Sequence, residues 1–418
     1  MKRREVTRRQ LLQNSAAFGA AVLAGSVARG FVGCSSRRGL SLEADKWREM
    51  SSPAPTGSIS PRVTAQPDKS VVLSWLEPQE DRKASLRFSI WRDARWSQPA
   101  TIAPGLAFSR DQASAPGVIG LSSANLIAYW SQRVSSDQQS TNEIALYMAV
   151  SSEGGAHWAA PMLVNRAAAQ PGEDNAYAAT VGLDDQRAQF VWLDGRDWEK
   201  SKRVQLMSRV VSTEGQISER YLLDPDTCTC CSTAIARTSS GLLAAYRGHN
   251  SKNIRDISLV RSIGSGWSEP HIPYPDDWHI EACPVNGPHL DTRENHTALI
   301  WFTAPQDQPA VKLAFSHDGG ATLATVLRLD AGKAVGRAQV VVLGDGSAVG
   351  FWLESEGGAT RLTARRVRDD GSMGASLELA RGANFCYPHA AGTVGGILVV
   401  WSERNPNAQV RAGLLQTG

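Results

Sequence analysis

Short apolar runs, each closing on a large aromatic residue, recur along the chain between polar, turn-rich stretches. Seven stand out: Val71-Val72-Leu73-Ser74-Trp75, Leu126-Ile127-Ala128-Tyr129-Trp130, Ala188-Gln189-Phe190-Val191-Trp192, Leu242-Leu243-Ala244-Ala245-Tyr246, Ala298-Leu299-Ile300-Trp301, Ala348-Val349-Gly350-Phe351-Trp352 and Ile397-Leu398-Val399-Val400-Trp401. Their final aromatics are 49 to 62 residues apart. Within each interval a small-residue strand precedes the aromatic strand. An alternating strand such as Val311–Ser316 and a short fourth such as Thr325–Leu329 follow it. A repeat near fifty residues, with four short strands per unit, predicts an all-β propeller. Seven blades are expected, or six if one unit is irregular. The last unit runs out after its third strand, near Leu415. A closed ring needs a fourth strand there, and Leu42–Ser51 is expected to supply it.

Two units carry a similar turn between their third and fourth strands. One is Ser151-Ser152-Glu153-Gly154-Gly155-Ala156-His157-Trp158, the other Ser316-His317-Asp318-Gly319-Gly320-Ala321-Thr322-Leu323. Both resemble the Asp box, Ser-x-Asp-x-Gly-x-x-Trp. Its acid bonds turn backbone and its glycines take positive φ. With the fifty-residue period, these turns make residues 60 to 418 resemble the sialidase-like Asp-box propellers.

That resemblance implies a site for sialosides. Three arginines would grip a carboxylate, because a planar guanidinium forms paired charged hydrogen bonds to it. A tyrosine nucleophile assisted by a glutamate would attack the sugar. Arg62 falls where the first arginine would lie, Arg247 matches the second, and Glu354 is placed as the assisting glutamate. The third arginine is replaced in Gln308-Pro309-Ala310-Val311-Lys312. The tyrosine is replaced in Gly336-Arg337-Ala338-Gln339. The resemblance therefore implies the fold more strongly than the activity.

Composition changes the picture only at the N-terminus. With 44 basic against 41 acidic residues, and no basic cluster beyond the start, nucleic acid is not an implied partner. Lys2, Arg3, Arg4, Arg8 and Arg9 precede a weakly apolar Ala- and Gly-rich run, Ser15–Ala28. Thr7-Arg8-Arg9-Gln10-Leu11-Leu12 resembles a twin-arginine export signal, which implies the twin-arginine translocase as a transient partner. Residues 1–33 are read as that signal, 34–60 as a linker with the ring-closing strand, and 61–418 as the propeller. Cleavage after Ser26-Val27-Ala28, or lipidation of Cys34 in the lipobox-like Phe31-Val32-Gly33-Cys34, both remain open. Either places the protein in the periplasm or cell envelope, in the second case lipid-anchored.

The remaining chemistry lies in cysteines and histidines. Cys228, Cys230 and Cys231 fall within four positions, and Cys283 and Cys386 are followed by His289 and His389. Cys231, Cys283 and Cys386 precede their aromatic anchors Tyr246, Trp301 and Trp401 by similar intervals. All three are expected to begin innermost strands at one mouth of the channel. Thiolate with imidazole suits copper or zinc. The alternatives are disulfides, for example Cys228 or Cys231 bonded to Cys283 or a strained adjacent pair Cys230–Cys231, or inert buried thiols. Arg196, Asp197, His249, Arg255 and Trp278 lie in loops expected at that mouth, where they would form a polar pocket for a carbohydrate or other polar ligand. Three classes of function follow: a metal- or ligand-binding propeller, a sialidase-like glycoside hydrolase of altered substrate, and an envelope scaffold without ligand.

Overall fold

The computed structural model describes residues 39–134, 144–165, 175–404 and 407–417. The segment read as an export signal and Cys34 lie outside the described residues. Seven antiparallel sheets form the blades of a β-propeller. Their first, inner strands are β2 (Ile59–Ala65), β7 (Gly117–Gly120), β11 (Asn175–Gly182), β15 (Ala234–Thr238), β19 (His289–Arg293), β23 (Ala334–Val342) and β27 (His389–Thr393). Each packs against the inner strand of the next blade, and β27 against β2, so these seven strands ring the axis. The second strands, which carry the aromatic anchors, follow outward.

The ring closes as the strand count requires. β1 (Trp47–Met50) pairs antiparallel with β29 (Gln409–Leu415), setting Trp47 opposite Leu415 and Met50 opposite Ala412. The last blade therefore takes its outer strand from the N-terminal side. The first blade departs from the four-strand pattern, because β5 (Arg95–Trp96) and β6 (Ala100–Leu106) both pair with β4 (Ala84–Arg92).

The repeated aromatics form the packing between blades. Trp75, Trp130, Trp192, Trp301, Trp352 and Trp401 are buried to within 1% of complete. Trp75 packs with Leu398 and Val400 of the neighbouring blade, and Trp352 with Ile300 and Leu313. A strand presents residues i and i+2 on one face. In four blades the residue two past the tryptophan accepts its indole N–H. Glu77 accepts from Trp75 at 3.0 Å, Gln132 from Trp130 at 3.1 Å, Asp194 from Trp192 at 3.1 Å and Glu354 from Trp352 at 2.9 Å. The motif joins a large apolar surface to a satisfied polar tip.

The two similar turns share one geometry. Ser151 Oγ accepts from Gly155 N at 3.0 Å, and Ser316 Oγ from Gly320 N at 2.9 Å. Gly155 and Gly320 sit at φ 91° and 85°. A Cβ at either would meet a side chain of the preceding blade, Phe88 at 2.4 Å or Leu243 at 2.6 Å. Positive φ and close approach together require glycine there.

Candidate functional site: the channel and its cysteine-lined mouth

Arg62, His289 and His389 come from three inner strands and line one cavity of about 240 Å³ on the axis. Thr64, Tyr129, Thr180, Thr233, Gln339 and Asp291 complete its polar lining. His289 and His389 are the first residues of β19 and β27, so the strand starts set both imidazoles at the same level. Arg62 is half-buried. Its Nη1 donates to the Ala115 carbonyl at 3.0 Å, and its guanidinium lies 5.7 Å from the centre of the Tyr129 ring.

The electrostatics of this cavity follow from burial beside a cation. Desolvation, with the Arg62 charge second, pulls the His289 imidazolium down to about 4. The same two causes, joined by His289, hold His389 well below its ordinary value. Both rings are neutral near pH 7. His289 Nδ1 accepts from Val340 N at 3.3 Å. His389 is only 8% exposed, yet its Nε2 has no hydrogen-bond partner among the described residues. Such a buried orphan costs free energy. Deeper along β19, Asp291 is pushed up to about 6 by burial, opposed by the Val342 N–H it accepts at 2.7 Å.

The cysteines lie above this ring, in the segments leading into the inner strands rather than on them. Cys230 and Cys283 form a disulfide, with Cα atoms 6.1 Å apart. The sequence had pointed to Cys228 or Cys231 as the partner of Cys283. Cys230 is the one that reaches, while the Cys228 and Cys231 sulfurs lie 3.6 Å from each other. Cys228, Cys231 and Cys386 are free thiols, all buried. The Cys386 sulfur contacts the Asn384 carbonyl at 3.7 Å. The seven candidate metal ligands thus divide. The sulfurs of Cys228, Cys230 and Cys231 lie within 4.8 Å of one another, with Cys230 already bonded to Cys283. The two histidines face the channel cavity, and Cys386 belongs to neither group.

Arg247 is 2% exposed. Its Nε and Nη2 donate to the Asn286 carbonyl at 2.9 and 2.7 Å. Nη2 also reaches the Phe302 carbonyl at 2.6 Å, and Nη1 the Arg255 carbonyl at 2.6 Å. Its face lies 4.8 Å over the buried ring of Trp278. These contacts commit Arg247 to pinning three backbone segments, and they cover Trp278. Glu354 is likewise engaged, by the Trp352 indole and by Arg361 Nη2 at 2.6 Å. Neither has the free, inward-facing geometry that the sialidase resemblance implies.

The loop residues are held by neighbours too. Arg196 forks onto buried Asp194, with Nε at 2.7 Å. Asp197 accepts from Gln205 at 3.2 Å. His249 lies between Asp226, at 2.8 Å, and Asn253, at 3.1 Å. Arg255 Nη1 donates to the Cys228 sulfur at 3.2 Å.

Sequence reasoning missed three residues that build this end of the channel. Asn286 carries the carbonyl that Arg247 grips, and its N–H donates to the Cys231 sulfur at 3.4 Å. Tyr387 lies beneath Arg337, 4.7 Å from guanidinium to ring centre, and donates to the Val285 carbonyl. Tyr129 lines the cavity; its signal was a second aromatic directly before the repeated tryptophan. Elsewhere, at the joint of blades five and six, His296, His317 and Asp369 lie within 4.8 Å of one another at the surface.

No protein-family model matches the chain, and no curated protein matches it in sequence. Solved structures do match in fold. A polysaccharide lyase described as an ulvan lyase aligns with a TM-score of 0.58 and 11% identity, covering 88% of this chain and 96% of its own. The polysaccharide lyase Uly1 aligns at 0.54 and 10% identity, over 87% and 91%. The intramolecular trans-sialidase from Ruminococcus gnavus aligns at 0.44 and 10% identity, over 85% and 94%. At such identities the likeness speaks for the fold alone.

Proposed function

We propose that this chain is an exported sialidase-like propeller that binds a small acidic sugar in its channel, between Arg62, His289 and His389. The observation that carries the reading is one cavity on the axis lined by the Arg62 cation and by the two imidazoles of His289 and His389, both held neutral by burial. A carboxylate suits the guanidinium, and neutral imidazoles suit hydroxyls, which donate or accept as the tautomer requires. The cavity, at about 240 Å³, lies below the roughly 300–1,000 Å³ of sites for drug-sized ligands. That favours one sugar unit over an oligosaccharide.

Two further observations support the reading. One solved neighbour is an ulvan lyase bound to a chain containing GlcA, an acidic sugar. Export rests on the twin-arginine-like N-terminus, and the Cys230–Cys283 disulfide suits an oxidising compartment. Binding is favoured over glycoside hydrolysis because Glu354 and Arg247 are committed to structural contacts. Calorimetric titration tests the reading, with glucuronic acid and sialic acid as ligands and glucose as the uncharged control. Saturable binding of an acid sugar, weakened at least about tenfold by Arg62→Ala, is expected. Binding of neither acid would remove the reading.

A further inference from the structure

Four sulfurs meet where the lead-in segments of blades four and five join, apart from the channel ligand site. The disulfide there has a buried end and an open end: Cys230 is 7% exposed, while Cys283 is exposed to solvent. The Cys228 sulfur, completely buried, lies 3.9 Å from that of Cys230 and 3.6 Å from that of Cys231. Arg255 Nη1 donates to it at 3.2 Å. The backbone holds this loop in place, since Cys228 N donates to the Arg247 carbonyl at 3.0 Å.

We propose that Cys228 is an internal nucleophile for the Cys230–Cys283 disulfide, making this mouth a thiol–disulfide exchange centre whose released thiol is Cys283. The Cys228 thiolate attacks Sγ of Cys230. A Cys228–Cys230 bond forms and the Cys230–Cys283 bond breaks. The electron pair leaves on Cys283, which takes a proton from solvent. One disulfide is present before and after, so the step needs no oxidant or reductant. The attacking sulfur requires no solvent access, which accords with its burial. The leaving sulfur faces solvent, where it can meet external disulfides or soft electrophiles.

The Arg255 guanidinium beside the Cys228 sulfur, at 3.2 Å, favours a thiolate next to the disulfide, which is the reactive arrangement.

The test traps the released thiol. Native, oxidised full-length protein is incubated with excess bulky maleimide, quenched in acid and mapped by mass spectrometry, which separates Cys283 from Cys386 and Cys34. Wild type is expected to accumulate label on Cys283 together with a Cys228–Cys230 disulfide. The rate should be independent of probe concentration at saturation. Cys228→Ser should abolish labelling and retain Cys230–Cys283. Arg255→Gln should slow labelling at least about tenfold, which keeps the test decisive if Cys228→Ser fails to fold. An unlabelled Cys283 in wild type, or equal labelling in a folded Cys228→Ser or Arg255→Gln variant, would overturn the proposal.

Discussion

Trp352 donates its indole N–H to Glu354 two residues further along the same strand, at 2.9 Å, and both side chains are buried. Arg361 holds the other carboxylate oxygen at 2.6 Å. Glu77 with Trp75 and Arg87, and Asp194 with Trp192 and Arg196, repeat the arrangement. Glu354 is thus one copy of a packing device. Glu354→Ala is expected to destabilise the fold by about 1–3 kcal/mol, because the buried Trp352 indole loses its acceptor while Arg361 keeps Glu356 at 2.9 Å. Chemical denaturation measures this. Acid-sugar affinity in the folded fraction should not change, whereas a selective loss of affinity would give Glu354 a ligand role.

Arg247 makes a parallel case. Lysine keeps the charge but cannot reach three carbonyls with a planar fork. Arg247→Lys is expected to cost about 3 kcal/mol or more, because the Asn286, Arg255 and Phe302 carbonyls lose donors in a buried site. A thermal midpoint unchanged from wild type would contradict that assignment.

Aryl sialosides should not be turned over at enzyme-like rates. The third arginine and the tyrosine are replaced in the sequence, and Arg247 and Glu354 are engaged elsewhere. A fluorogenic release assay checks this. Turnover that disappears on changing Arg62 to Ala would make the channel a hydrolase site after all.

The channel histidines predict an acid-sensitive stability. His289 has its folded value depressed to about 4 from an ordinary 6.5. Its contribution is complete above pH 6.5 and is lost as pH falls toward 4, because the unfolded chain binds the proton first. His389 acts in the same direction. Asp291, raised to about 6, acts oppositely: its contribution is complete below pH 3.8 and is lost as pH rises through 6. Arg62 is the cation facing both rings. Thermal midpoints from pH 4 to 7 should therefore vary less with pH in His289→Gln than in wild type, and fall more steeply on acidification in Asp291→Asn. Parallel profiles in all three proteins would remove the assignment.

The architecture was legible because it is written in repetition. The interval from Trp75 to Trp401 counted the blades, and the missing outer strand after Leu415 pointed to Leu42–Ser51, within which β1 pairs with β29. The site was legible only in part. His289 and His389 lie on inner strands as expected, but Cys231, Cys283 and Cys386, expected to begin those strands, sit in the segments before them. Arg62 joins them in one cavity. The disulfide partner was not readable, because adjacent Cys230 and Cys231 differ only in which way the lead-in loop turns each sulfur. Glu354 and Arg247 were misleading for a related reason. A charge beside a repeated aromatic looks exposed in sequence, and only packing shows which carbonyls and indoles consume it. Asn286 and Tyr387 gave no signal, since both act through segments outside the repeated strands.

The proposed function places an acidic sugar on the propeller axis. A crystal structure of the protein soaked with glucuronic acid tests it most directly. The sugar is expected inside the channel, its carboxylate on the Arg62 guanidinium and its hydroxyls toward His289 and His389. A channel holding only water at saturating ligand, or the sugar seated instead on the surface loops around Arg196 and His249, would contradict it.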